Sequence, residues 1–254
     1  MSLRFSPKAH RYWLDGRPTP GVTTILGKGI PKPALPYWAA RTVAEHVADN
    51  LHQLDSWSQM GRDSLVAALK QTPWTRRDEA AIRGTDIHAL AERVIHSEEV
   101  EVPEHLAAHV EGYVAWLDEY DVEPIWTERS VASRTHRYAG RPDFVGHVRA
   151  LGDEVFLLDW KTSKGIYGET ALQTAAYARA DFWVADDDPD TEHPMPDVDR
   201  IGVVHVTEHG SYLHDLGDID TAFTEFLAAK VVADSTRRRD DLIGDPITLE
   251  PSNV

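Results

Sequence analysis

Apolar positions repeat at two different periods along this chain, and the change of period divides it. Trp38, Val43, Val47 and Leu51 recur at helical spacing and predict a helix over 36–54. Segments 64–70 and 75–96 also read as helices, the second with Ala81, Ile82, Ile87, Leu90, Ala91, Val94 and Ile95 along one face. A further helix is expected over 103–120, where Pro103 suits a first turn and Leu106, Val110, Val114 and Leu117 repeat. Ahead of these, 10–20 reads as a hairpin about Asp15-Gly16, and 22–26 begins an element that Gly27 and Gly29 should break. Beyond 124 the pattern is that of strands: 125–133, 138–148 and 155–161, with turn signals at Thr135–His136 and Leu151–Asp153. A helix over 170–184, strands at 200–207 and 212–216 around Gly210, and a helix over 219–232 complete the series. The fold class is therefore α/β, a central mixed sheet flanked by helices with an added N-terminal hairpin and helical lobe. The expected divisions are a lobe over 1–78, a core over 79–236 and a polar tail over 237–254.

Charge sharpens this reading. The chain of 254 residues carries a net charge of −16, which argues against broad adhesion to nucleic acid. Residues 1–41 are the exception, with seven basic residues against one acid. Arg11 and Arg17, interleaved with Tyr12, Trp13, Tyr37 and Trp38, form a candidate DNA-guiding surface, although buried hairpin aromatics are as plausible. The acids concentrate in 185–199, a Pro-rich run expected to be a solvated loop. The absence of cysteine excludes disulfides, thiolate metal sites and iron–sulfur clusters. With no signal peptide and no apolar run near 20 residues, the expectation is a cytoplasmic chain without membrane contact.

The candidate chemistry lies in Gly140-Arg141-Pro142-Asp143 and Leu158-Asp159-Trp160-Lys161. Asp159 and Lys161 are two apart, so on a strand their side chains leave one face. The apolar run before them marks a buried strand, and a charge pair ending it needs a partner. A divalent ion shared with Asp143 would supply one; the bland alternative is a structural Asp–Lys pair. His88 and Glu92 are one helical turn apart, and a neutral imidazole can ligate Mn²⁺. Glu128, on the strand before Asp143, is either an edge residue or a third carboxylate. Gln173 and Tyr177 share a helix face, placing Gln173 to position water or phosphate.

Together, Gly84-Thr85-Asp86-Ile87-His88, Gly140-Arg141-Pro142-Asp143, Leu158-Asp159-Trp160-Lys161-Thr162 and Leu172-Gln173-Thr174-Ala175-Ala176-Tyr177 resemble the motifs of the PD-(D/E)xK nuclease superfamily. The likeness is greatest to its RecB-like exonuclease branch, over roughly 80–210. It implies a restriction-endonuclease-like core and one or two Mg²⁺ or Mn²⁺ ions. It also implies that His88, Asp143, Asp159 and the Trp160 carbonyl are metal ligands, that Lys161 assists the attacking water, and that Gln173 and Tyr177 lie behind the site. Many relatives bind an iron–sulfur cluster through four cysteines; this chain cannot.

The expected activity is metal-dependent hydrolysis of DNA phosphodiesters, with Asp143, Asp159, Lys161 and Gln173 as catalytic residues and Arg11, Arg17 and Arg141 on the DNA. In a phage or bacterial setting the activity would serve recombination or repair in the (host) cytoplasm, beside a helicase or single-strand annealing protein. The rivals are a catalytically silent DNA- or protein-binding module on the same fold, an acidic DNA-mimic inhibitor, and an endonuclease.

Overall fold

The fold is organised by a five-stranded sheet whose central strand, Val155–Lys161, has both faces covered. The computed structural model describes residues 2–247 apart from Ser97, Glu99 and Arg237, without the side chains of 79–83, 85 and 240. The side chains of the expected face positions Ala81 and Ile82, and residues 237 and 248–254 of the tail, lie outside that description.

In chain order, β1 (Leu3–Ser6), β2 (Arg11–Leu14) and β3 (Arg17–Thr19) form a small antiparallel sheet. Next come α1 (Val22–Gly29), α2 (Ala34–Asp49), α3 (Leu54–Gln59), α4 (Arg62–Ile95) and α5 (Ala107–Tyr120). The strands follow: β4 (Val122–Thr127), β5 (Ser130–Ser133), β6 (Tyr138–Gly140), β7 (Phe144–Val148) and β8 (Val155–Lys161). Last are α6 (Glu169–Ala178), β9 (Phe182–Val184), β10 (His193–Pro194), β11 (Arg200–Thr207), β12 (Gly210–Asp215) and α7 (Ile219–Ser235). The main sheet runs β12-β11-β8-β7-β4, parallel only between β8 and β11, and a second sheet runs β10-β9-β5-β6. The chain is thus α/β with a mixed five-stranded sheet flanked by helices.

Alternation along β8 builds two cores. Phe156, Leu158 and Trp160 pack with Tyr113 and Trp116 of α5 and Ile87 and Ala91 of α4. Leu157 faces the other way, into a core with Ala175 and Ala176 of α6 and Phe226 of α7. Asp159 and Lys161 share Leu157's parity, so they emerge on the α6 side. A third core joins Leu3, Tyr12 and Leu14 of the first sheet to Ala132, Ala139 and Phe182 of the second.

Several expected elements are corrected. The helices expected at 64–70 and 75–96 are one helix, α4, which continues across Pro73. An interior proline costs about 3 kcal/mol, yet helix-favouring flanks and packing against α2 carry the helix through. The expected boundary between 78 and 79 consequently falls inside α4. Gly27 does not break α1, which ends at Gly29; a Cβ on Gly29 would overlap the Ala229 carbonyl, so the glycine is what lets α1 cross α7. Strands 125–133 and 138–148 each divide into two, one piece for each sheet. The helix expected over 170–184 stops at Ala178, because 182–184 pair with β5. Among the described residues no helix is long and apolar enough to cross a membrane.

Candidate metal centre

Asp143 and Glu128 occupy the two breaks where the chain leaves one sheet for the other, which is why both reach the same point. Glu128 has φ +48°, the left-handed region that costs a non-glycine residue about 1–2 kcal/mol. Its N–H donates to the Asp143 carbonyl at 3.1 Å, joining the breaks. Asp143 is 8 % exposed and its Oδ2 accepts from the Trp160 N–H at 2.6 Å. Trp160 therefore meets the site through its main chain, while its ring lies in the α4–α5 core.

His88 comes from α4 and sets Nδ1 3.7 Å from Asp143 Oδ2. Gly84, one turn earlier, lets the helix pass the end of β8: a Cβ there would lie 3.3 Å from Thr162 Oγ1. One ligand atom from each of His88, Glu128 and Asp143 lies within 4.8 Å of the others. Glu92, the next turn of α4, is half-buried and its charge bears on Glu128.

Asp159 is 2 % exposed and stands just outside that cluster, its charge still felt by Asp143's neighbours. Its Oδ1 accepts from Gln173 Nε2 at 2.8 Å, and its Oδ2 meets the Lys161 ammonium as an ion pair without a further hydrogen-bond partner among the described residues. Of the expected ligands His88, Asp143, Asp159 and the Trp160 carbonyl, with Glu128 as a supporting carboxylate, the structure groups His88, Asp143 and Glu128 most tightly, while Asp159 meets the counter-charge two residues along its own strand. Gln173 also donates to the Tyr177 hydroxyl at 3.3 Å. Tyr177 is buried beneath Gly140, where a Cβ would overlap its ring.

The electrostatics are those of crowded anions. Burial and the Asp143 charge push the Asp159 carboxyl up to about 6 and Glu128 up to about 7. Burial pulls His88 down, but the Asp143 carboxylate outweighs it and lifts the imidazole to about 9. Burial also opposes ionisation of Asp143 and Lys161, yet each is held charged: Asp143 below the usual carboxylate range by His88 and Lys161, and Lys161 above the usual range by Asp159 and Asp143. Imidazole nitrogen and carboxylate oxygens within reach of one another make a donor set suited to Mg²⁺ or Mn²⁺. The residues therefore fit a divalent ion.

Arg141, expected on DNA, is instead spent inside the protein. Its Nε donates to Glu128 Oε2 at 2.8 Å, and its two terminal nitrogens donate to Asp186 at 2.9 and 2.8 Å. The acidic run is correspondingly not wholly solvated: Asp186 holds Arg141 and Glu192 holds Arg134. No local signal in the sequence joins Asp186 to Arg141, since their pairing is a product of sheet order. Tyr113 is a second residue the sequence did not single out; its buried phenol is raised by burial first and then by the Asp143 charge. Tyr12 is core, whereas Arg11, Arg17 and Tyr37 are exposed. No protein-family profile matches the chain, and a search of curated proteins finds no match.

Proposed function

We propose that this chain is a metal-dependent deoxyribonuclease of the PD-(D/E)xK superfamily, in its RecB-like branch, working on a restriction-endonuclease-like core. The observation that carries the reading is the convergence of His88, Glu128 and Asp143 beside an Asp159–Lys161 pair on the adjacent strand. Four elements distant in sequence deliver one nitrogen, several carboxylate oxygens and one ammonium to a single point. A structural Asp–Lys pair would need none of the other three.

In this reading His88, Glu128 and Asp143 would hold Mg²⁺ or Mn²⁺, with Asp159 beside them. The ion supplies Lewis-acid polarisation of the scissile phosphate and a more acidic water. The chain's own residues do the rest. Lys161 orients the attacking water and offsets charge developing on the phosphate. Gln173 fixes Asp159 through Oδ1, and the Trp160 N–H fixes Asp143 through Oδ2, so neither carboxylate is free to rotate away. Arg141 steadies Glu128 from behind. The substrate is DNA, attacked from its ends as an exonuclease, in recombination or repair.

The test is degradation of end-labelled linear DNA, single- and double-stranded, in Mg²⁺, Mn²⁺ or EDTA. Metal-dependent release of label by the wild type and its loss in Asp159→Ala are the expected results. Equal inertness of both proteins would favour a binding or inhibitory role. A closed circle left intact where the linear form is consumed separates exonuclease from endonuclease.

A further inference from the structure

We infer that a cavity walled by the β2–β3 hairpin, α1 and the end of α7 holds a single strand of DNA. The cavity is about 780 Å³, and its lining includes His10, Arg11, Trp13, Thr24 and Lys28, with Asp234 at one side.

Charge pairing is the first argument. With 42 acids against 26 bases, cations here ordinarily find an internal partner, as Arg76, Arg134, Arg149 and Arg200 do. Arg4, Lys8, Arg11, Arg17, Lys28 and Lys32 make no ion pair among the described residues. The one acid in their stretch, Asp15, accepts from Arg134 Nε and Nη2, each at 3.0 Å. Arg11 and Lys28 come from different elements and meet in the cavity, so the electrostatic demand there is for an external anion.

The lining also selects among anions. Trp13 is partly exposed, with the Arg4 guanidinium 4.7 Å over its ring. Ring, cations and the Thr24 hydroxyl together suit a nucleotide chain, whose bases stack and whose phosphates pair, better than a lone phosphate. A cavity of about 780 Å³ has the room of a drug-sized ligand, a few nucleotides of one strand, and not of a duplex segment. Beyond Lys28 the chain continues through Lys32 to the exposed Tyr37 and Trp38, which extend the same combination of charge and ring.

The Tyr12 ring forms part of the cavity wall against Gly21, and Gly21 pairs with Ala139 of β6, the strand that leads into the break holding Asp143. As a substrate path the inference rests on the nuclease reading; its test does not.

Binding is measured by anisotropy of a fluorescein-labelled oligothymidylate of about 15 nucleotides, within the site sizes such grooves have. EDTA is present, so no cleavage intervenes. Arg11→Glu with Lys28→Glu should weaken binding by about tenfold or more and flatten its salt dependence. The milder pair Arg11→Gln with Lys28→Gln, which leaves the fold less perturbed, should weaken it less. Thermal unfolding of both double variants, followed by circular dichroism, should match the wild type, so that weakened binding is not loss of fold. Equal affinity of wild type and variants, no binding by the wild type, or equal competition by a duplex overturns the inference. Oligonucleotide binding that follows the expected order without any hydrolysis by the wild type would sustain it and remove the nuclease reading instead.

Discussion

At the residue scale, the site stores protons that an unfolded chain would release. Asp159 and Glu128 ordinarily titrate near 3.8 and 4.5 but are held at about 6 and about 7, and His88 moves from 6.5 to about 9. Between each pair of values the folded state binds more protons than the unfolded one, so stability falls as pH rises. Asp143 acts oppositely, its contribution being lost only as pH falls below its ordinary 3.8. Metal-free protein should therefore show a declining Tm from about pH 5 to about pH 9, since these three ranges overlap end to end. Saturating Mn²⁺ should flatten that slope, because the ligands must shed protons to bind. A Tm indifferent to both pH and Mn²⁺ would sink this account of the cluster. Glu128→Gln should remove part of the slope and weaken Mn²⁺ binding, read by calorimetry.

At the scale of elements, two glycines in α1 make opposite demands although only one residue separates them. A Cβ on Gly27 meets nothing within 4 Å, whereas one on Gly29 would overlap the Ala229 carbonyl of α7. Gly27→Ala should stabilise the protein by about 0.5–1 kcal/mol through helix propensity and lost unfolded-state freedom. Gly29→Ala should destabilise it by about 1–3 kcal/mol, as overpacked sites do. Urea unfolding of the two variants decides; equal effects would mean that α1 and α7 do not cross closely. The sequence showed both residues only as helix breakers, because close approach is a property of the neighbour and not of the segment.

At the scale of the molecule, one arginine adds polar ties to the core that joins the first hairpin to the second sheet. Arg134 pairs with Asp15 of the β2–β3 turn and with Glu192 beside β10, and lies 4.6 Å over the Phe182 ring. These groups are half-exposed, so each pair is worth about 1 kcal/mol or less. Their consequence is local order rather than global stability. Arg134→Gln should leave Tm nearly unchanged while speeding amide exchange in β1–β3. Unaltered exchange there would show that the shared core of Leu3, Tyr12 and Leu14 suffices by itself.

The strands 155–161 and 200–207 were legible to the residue, because a strand covered on both faces is a continuous apolar run bounded by polar ones. The Asp-x-Lys face, the carboxylate at 143 and the helical His88 could likewise be read from spacing. What spacing could not reveal is which sheet a strand segment joins. The breaks at Glu128 and at Arg141 to Asp143, which gather the cluster, exist because two sheets compete for one stretch of chain. The same limit hid the Arg141–Asp186 pairing and left Tyr12 undecided between surface and core. Periodicity records burial along one element, so it determined the elements and the candidate ligands. Register between elements depends on contacts remote in sequence, and only the tertiary structure decided which of those ligands meet.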